Sequence, residues 1–180
     1  MGRVRNAGIG IGTSGSPQCS LSQETVDEKV EELVKQNMLE QLEKAGVKYT
    51  PEDVLFVTKD KTGQLIWLEK GNKNAGLEHI LNGNGSKPGH AFDFETKHSV
   101  ERDNLTNHLK NCITHWNVEY SILTVKNGRE GYEKLYSSQN QYYLVSGIGK
   151  NGFIVTAYPV NERTAQALIR RNKEWKKLLK

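Results

Sequence analysis

The chain has 180 residues, with 25 Lys and Arg against 21 Asp and Glu and a formal net charge of +4. Apolar residues make up 36%, low for a globular chain but above the level of disorder, so one domain with a modest core and a broad polar surface is expected. No run approaches the roughly 18 apolar residues that a membrane span needs. No apolar block with a cleavage site follows Met1, so export is expected to depend on sequence outside this chain. Cys19 and Cys112 are the only cysteines, too few for a disulfide framework.

Residues 1–20 read as a flexible leader rich in Gly and Ser. Gly10, Gly12 and Gly15 match a dinucleotide fingerprint by spacing alone, but no strand precedes them and Pro17 follows, so that reading fails. Residues 21–50 read as an N-terminal helical module. Val26, Val30, Leu33, Val34, Met38, Leu42 and Ala45 recur at helical spacing, between an N-cap at Ser22 and a stop at Gly46. Residues 51–180 read as the main domain. Val54–Thr58 and Gln64–Leu68 flank Asp60-Lys-Thr-Gly63 as a hairpin, and residues 74–81 form a short helix carrying His79. Residues 82–90 are loop. Ser99 to Trp116 reads as a second amphipathic helix, with Leu105, Leu109, Cys112, Ile113 and Trp116 on one side.

Glu119–Lys126, Gln141–Gly147 and Phe153–Tyr158 are the predicted strands, with a turn at Asn151-Gly152 and an end at Pro159. Thr164 to Lys180 closes the chain as a basic helix. The class is α+β, a small antiparallel sheet of about four or five strands packed with N-terminal, middle and C-terminal helices. Charge is divided along the chain: Ser22 to Asp53 holds four Lys/Arg against nine Asp/Glu, and Glu162 to Lys180 holds seven against two. The basic end is the one suited to phosphates.

His79 and His90 lie eleven residues apart around a loop rich in Gly and Asn. Two imidazoles on one loop system fit paired general acid and base chemistry on a phosphodiester, since histidine titrates near neutrality. RNA cleavage without metal also needs a donor for the phosphoryl oxygens. Thr156 and Tyr158 supply hydroxyls on one face of a strand. Taken singly, each of these residues has an ordinary structural role open to it.

The segment Leu77-Glu-His79-Ile-Leu-Asn-Gly83, the Gly-rich gap ending Pro-Gly-His90, and Ile154-Val-Thr156-Ala-Tyr158-Pro159 resemble toxin domains of bacterial polymorphic and contact-dependent growth inhibition systems. They are similar, more specifically, to EndoU-type ribonucleases of the barnase–EndoU–colicin–RelE superfamily. The resemblance covers roughly residues 75–160. It implies a small antiparallel sheet flanked by helices and metal-independent RNA cleavage that leaves a 2′,3′-cyclic phosphate. tRNA is the implied substrate, a cognate immunity protein and a translation elongation factor of the target cell the implied partners. It also implies release from a larger exported protein, entry or host-factor binding by residues 21–50, and action in the target-cell cytoplasm, with no cofactor. His79 then matches the first family histidine, with His90 the second, and Thr156 and Tyr158 the late-strand hydroxyl position. The chain has Pro88-Gly89 where paired glycines are usual, Lys87 and Lys150 both stand for the family lysine, and His98 rivals His90.

Three other readings compete. His108, Cys112 and His115 share a helix face and would make a metal-dependent nuclease. Arg170, Arg171, Lys173 and Trp175 would hold phosphates and stack a base in a non-catalytic RNA-binding module, or belong to an amphipathic closing helix with Trp175 in the core. A protein-binding domain would use the acidic helix.

Overall fold

The computed structural model describes residues 23–126, 128–148 and 151–178. Helix α1 spans Gln23–Lys44 and stops at Gly46 as expected. There φ is +71°, and the Gly46 and Val47 N–H groups return to the Glu43 and Leu42 carbonyls at 2.8 and 3.0 Å. A left-handed stop of this kind costs glycine least. The leader 1–20 and the expected cap Ser22 lie outside the described residues.

Strands β1 (Val54–Lys59) and β2 (Leu65–Glu69) form the expected antiparallel hairpin. Its turn is built by one side chain. Asp60 Oδ1 accepts the Thr62 N–H at 2.9 Å, the Thr62 hydroxyl at 2.5 Å and the Gln64 N–H at 3.2 Å. Next come α2 (Leu77–Asn82) and α3 (Ala91–His98). The sequence assigns nothing to 91–98, because Ala-Phe-Asp-Phe alternates like a strand. In the helix that run buries Phe94 and leaves Phe92 exposed.

The predicted helix 99–116 is shorter than expected. Ser99 ends α3 in a left-handed conformation with φ 54°, its N–H on the Glu95 carbonyl at 3.0 Å. Arg102–Asn104 then make one tight turn, and α4 begins only at Leu105 and ends at His115. The apolar face of α1 is also only partly used. Leu42 is buried with Val57 and Trp67, and Met38 packs beside them. Val26, Val30, Leu33 and Val34 stay exposed, because the stretch ahead of Met38 overhangs an open groove of about 650 Å³ between α1, β1 and α4.

Four strands make the main sheet, in the order of the chain and all antiparallel: β3 (Asn117–Lys126), β4 (Arg129–Ser138), β5 (Gln141–Ile148) and β6 (Ile154–Val160). The sequence does not predict β4. It also ends β6 too early, since the strand continues through Pro159, which pairs with Tyr143. An edge strand has N–H groups on its outer side with no ladder partner, so a proline is tolerated there. Helix α5 (Glu162–Leu178) closes the fold.

Alternation along the strands gives this sheet two different faces. One carries Tyr132, Tyr136, Tyr143, Val145 and Ala157, and packs with Phe56, Ile66, Leu68, Ile80, Phe94, Leu109 and Ile113 from the hairpin and α2–α4. The other carries Tyr120, Leu135, Tyr142 and Leu144, and packs with Ala165, Leu168 and Ile169 of α5.

Lys134 also points into the first face, fully buried, and pairs with Asp60, whose side chain is equally sealed from solvent. Tyr136 donates its hydroxyl to Asp60 Oδ2 at 3.2 Å, and Lys134 reaches Thr62 Oγ1 at 3.1 Å. Burial pushes the Asp60 carboxyl up, but the hydrogen bonds from Lys134 and Thr62 outweigh it and hold the group below the usual carboxylate range.

Candidate active site

The loop between the two candidate histidines is compact. At Gly83 φ is +72°, and a Cβ there would lie 2.0 Å from the Lys87 carbonyl oxygen. At Gly89 a Cβ would lie 2.2 Å from the Leu81 carbonyl oxygen. Both positions therefore need glycine, and the close approach lets His90 donate its backbone N–H to the Ile80 carbonyl at 2.6 Å. His90 is thereby fixed beside α2 as the residue that precedes α3.

Its ring is held by two neighbours. His90 Nδ1 lies 3.2 Å from Asp93 Oδ2, one turn along α3. Asp93 in turn accepts from Lys97 Nζ at 2.7 Å. The imidazole stacks on Tyr158 of β6, with ring centroids 4.7 Å apart and planes 27° apart. Lys97 holds the Asp93 carboxyl below its usual range against the upward push of partial burial, and His90 adds to the lowering.

Strand register extends the site from Tyr158 across the sheet. Thr156 faces Ser146, Ser146 faces Glu133, and Glu133 faces Ile122. All lie on the α5 side of the sheet, one row beyond the apolar row of Tyr120, Leu135, Leu144 and Tyr158. Thr156 Oγ1 is buried without a hydrogen-bond partner among the described residues. Glu133 is half-buried and accepts the Tyr120 hydroxyl at 2.8 Å. Burial pushes the Tyr158 hydroxyl up, and the nearby Glu133 charge adds to it. The same two causes act on Tyr120, together with its hydrogen bond to Glu133, while Arg171 of α5 opposes them. Next on the Glu133 face is Gly131, where a Cβ would sit 2.5 Å from the Gly147 carbonyl oxygen, so that end of the row carries no side chain.

The structure thus stacks His90 on Tyr158 and sets Thr156 in the neighbouring row of the same sheet face, a row that Glu133, which the sequence did not single out, also joins. Nothing local marked Glu133, because its strand was not recognised and its partner Tyr120 is on another. His79 is half-buried on α2, its Nδ1 2.9 Å from the Lys73 carbonyl oxygen. Lys87 is exposed in the loop. Lys150 lies outside the described residues, as does the side chain of Trp175. Arg170, Arg171 and Lys173 are exposed on α5.

His98 sits apart from the stack of His90 on Tyr158. It lies at the far end of α3 with its ring edge-on to Tyr143, 5.0 Å between centroids, on the opposite face of the sheet. His108 bonds the Tyr143 hydroxyl through Nε2 at 2.9 Å and lies 3.4 Å from Cys112 Sγ. Burial lowers both imidazoles below the usual histidine value, with Lys97 adding to the effect on His98 and His98 to that on His108. Burial also pushes the Cys112 thiol up to about 12. The expected convergence of His108, Cys112 and His115 is not found: the first two turn toward Tyr143 and the core, and His115 is exposed. Among the described residues, no group of three or more His, Cys, Asp or Glu side chains could hold a metal ion.

No family model matches this chain, and no curated protein matches it. The functional reading therefore rests on the residues and their geometry. No described helix is long and apolar enough to cross a membrane.

Proposed function

We propose that this protein is an endoribonuclease toxin that cleaves RNA without a metal, by attack of the 2′-hydroxyl on the adjacent phosphorus to leave a 2′,3′-cyclic phosphate. The observation that carries this reading is the stack of His90 on Tyr158 beside the polar row of Thr156, Ser146 and Glu133. An imidazole, a carboxylate and hydroxyls with bonding capacity to spare surround one stretch of sheet. In-line phosphoryl transfer needs a proton acceptor, a proton donor and hydrogen-bond donors for the phosphoryl oxygens.

His90 is assigned the acid role and protonates the departing 5′-oxygen. Thr156 and Tyr158 orient the phosphate. The base role expected of His79 is assigned to Glu133, which lies in the polar row itself. His79 sits on α2, outside that row. Arg170, Arg171 and Lys173 add a positive approach for RNA along α5. The biological setting carried by the resemblance belongs to this proposal: a toxin released from a larger exported protein, acting on tRNA in the cytoplasm of a rival bacterium. A cognate immunity protein and a translation elongation factor are its partners there.

The test is incubation of the purified chain with total RNA in excess EDTA, followed by sequencing of ends that carry cyclic phosphates. Defined new ends with wild-type protein, and none with His90→Ala or Thr156→Val at unchanged folding, are expected. RNA binding without new ends would replace the enzyme with a binding module. Cleavage abolished by EDTA would replace it with a metal-dependent nuclease.

A further inference from the structure

His90 enters the reaction as an imidazole, yet nothing in the sequence says which of its ring nitrogens should face substrate. We infer that Asp93 is the positioning residue of His90. Its carboxylate accepts a hydrogen bond from Nδ1–H and so leaves Nε2 as the nitrogen that exchanges protons with RNA. This inference rests on the ribonuclease reading for its catalytic meaning, but not for its geometry.

Three observations carry it. The Nδ1 to Asp93 Oδ2 distance of 3.2 Å is hydrogen-bonding, and it is made within one element, His90 preceding α3 and Asp93 lying in its first turn. Lys97, one turn further, binds the other carboxylate oxygen at 2.7 Å. The carboxylate is thus tethered at both oxygens and cannot swing away from the ring without breaking an ion pair. Third, the stack on Tyr158 fixes the ring plane. With Nδ1 committed to Asp93 and one ring face covered by Tyr158, the edge carrying Nε2 is left for a ligand.

Asp93 lies in the first turn of α3, where the positive end of the helix dipole favours a carboxylate. A carboxylate behind an imidazole, fixing its tautomer and raising its basicity, is a general device. The charged and titratable groups bearing on the ring are Asp93 and Lys97 from α3, Tyr158 from β6 and, beyond Tyr158, Glu133 from β4. From α2, the Ile80 carbonyl accepts the backbone N–H of His90.

Two readouts on the full chain test this. The first needs no RNA: nitrogen-15 NMR of the histidine rings across pH reports which nitrogen of His90 bears the proton in the neutral form. Wild type is expected to show the Nδ1–H tautomer, and Asp93→Asn a mixture of tautomers, with Asp93→Glu restoring the wild-type pattern. The second is the pH profile of RNA cleavage. Asp93→Asn is expected to lower the rate roughly tenfold or more and to move the alkaline limb to lower pH, while Lys97→Met gives a smaller change of the same sign. An unchanged tautomer in Asp93→Asn overturns the inference, as does a wild-type Nε2–H tautomer. Should Asp93→Asn unfold, Lys97→Met and Asp93→Glu carry the same readouts. If wild type cleaves no RNA at all, the ribonuclease reading falls, and the tautomer measurement still decides the role of Asp93.

Discussion

Glu133 and Lys134 are consecutive residues of β4, yet they face opposite sides of one sheet. Lys134 enters the side covered by the hairpin and α2–α4, where it is fully buried and its charge is closed by Asp60, with Thr62 and Tyr136 completing the cluster. Glu133 enters the side that α5 covers only in part, where it accepts the Tyr120 hydroxyl. A sealed charge with every partner supplied by the protein can only hold the fold. A half-buried charge with accepting capacity left over can still exchange a proton with something that arrives. The contrast separates a structural ion pair from the proposed base within two residues.

The largest effect should come from breaking the sealed side. Lys134→Met leaves Asp60 buried without its cation and is expected to cost about 3–5 kcal/mol of unfolding free energy. Pairing it with Asp60→Asn should recover part of that loss. Urea unfolding measures both, and a Lys134→Met midpoint equal to wild type would show the pair to be dispensable.

On the open side the expected pattern is reversed. Glu133→Gln should lower RNA cleavage by at least about 100-fold while changing stability by no more than about 1 kcal/mol, as expected when a partly solvated hydrogen bond is altered. His79→Ala serves as its counterpart and should retain most of the activity. If instead His79→Ala abolishes cleavage and Glu133→Gln does not, the base role returns to His79.

Acid should act in two windows. His98 and His108 have folded-state values lowered chiefly by burial. The unfolded chain therefore takes up their protons first, and stability is lost as pH falls below about 6.5. Asp60 and Asp93 are also lowered, so their contribution is present above the ordinary carboxylate range and lost only as pH falls through their depressed folded values. A urea midpoint flat from about pH 7 to about pH 5 would rule out the histidine window. His98→Gln should shrink that first step without touching the second.

The smallest effect is expected on α5. Replacing Arg170, Arg171 and Lys173 with Gln should weaken RNA binding uniformly across sequences. It should also flatten the salt dependence, by about one slope unit for each phosphate no longer neutralised. Stability should stay within roughly 0.5 kcal/mol, as for exposed sites in general.

The same division governs how much was legible in the sequence. The α+β class, the first hairpin, α2 and the last strands followed from apolar periodicity and turn residues, because those elements obey local rules. Strand β4 did not. Its sequence Arg-Glu-Gly-Tyr-Glu-Lys-Leu-Tyr looks solvated, and only the partner Asp60, 74 residues away, makes burial of Lys134 possible. Glu133 was hidden with it. Helix α3 was hidden differently, since its two phenylalanines alternate as in a strand while only Phe94 is buried. The shared face of Thr156 and Tyr158 was legible because strand parity is local. The stack of His90 on Tyr158 was not, for it depends on α2 and α3 lying along β6.

One consequence of the Asp60–Lys134 pair concerns the order of assembly. The turn that begins the hairpin completes its electrostatics only with a lysine from the middle of the four-stranded meander, 74 positions later. Synthesis therefore produces the hairpin well before the residue that neutralises it, and such distant closure slows folding. A chain cut short of β4 would expose Phe56, Ile66 and Leu68 without the sheet face that covers them, so the hairpin and the meander are one folding unit and cannot be exchanged as separate cassettes.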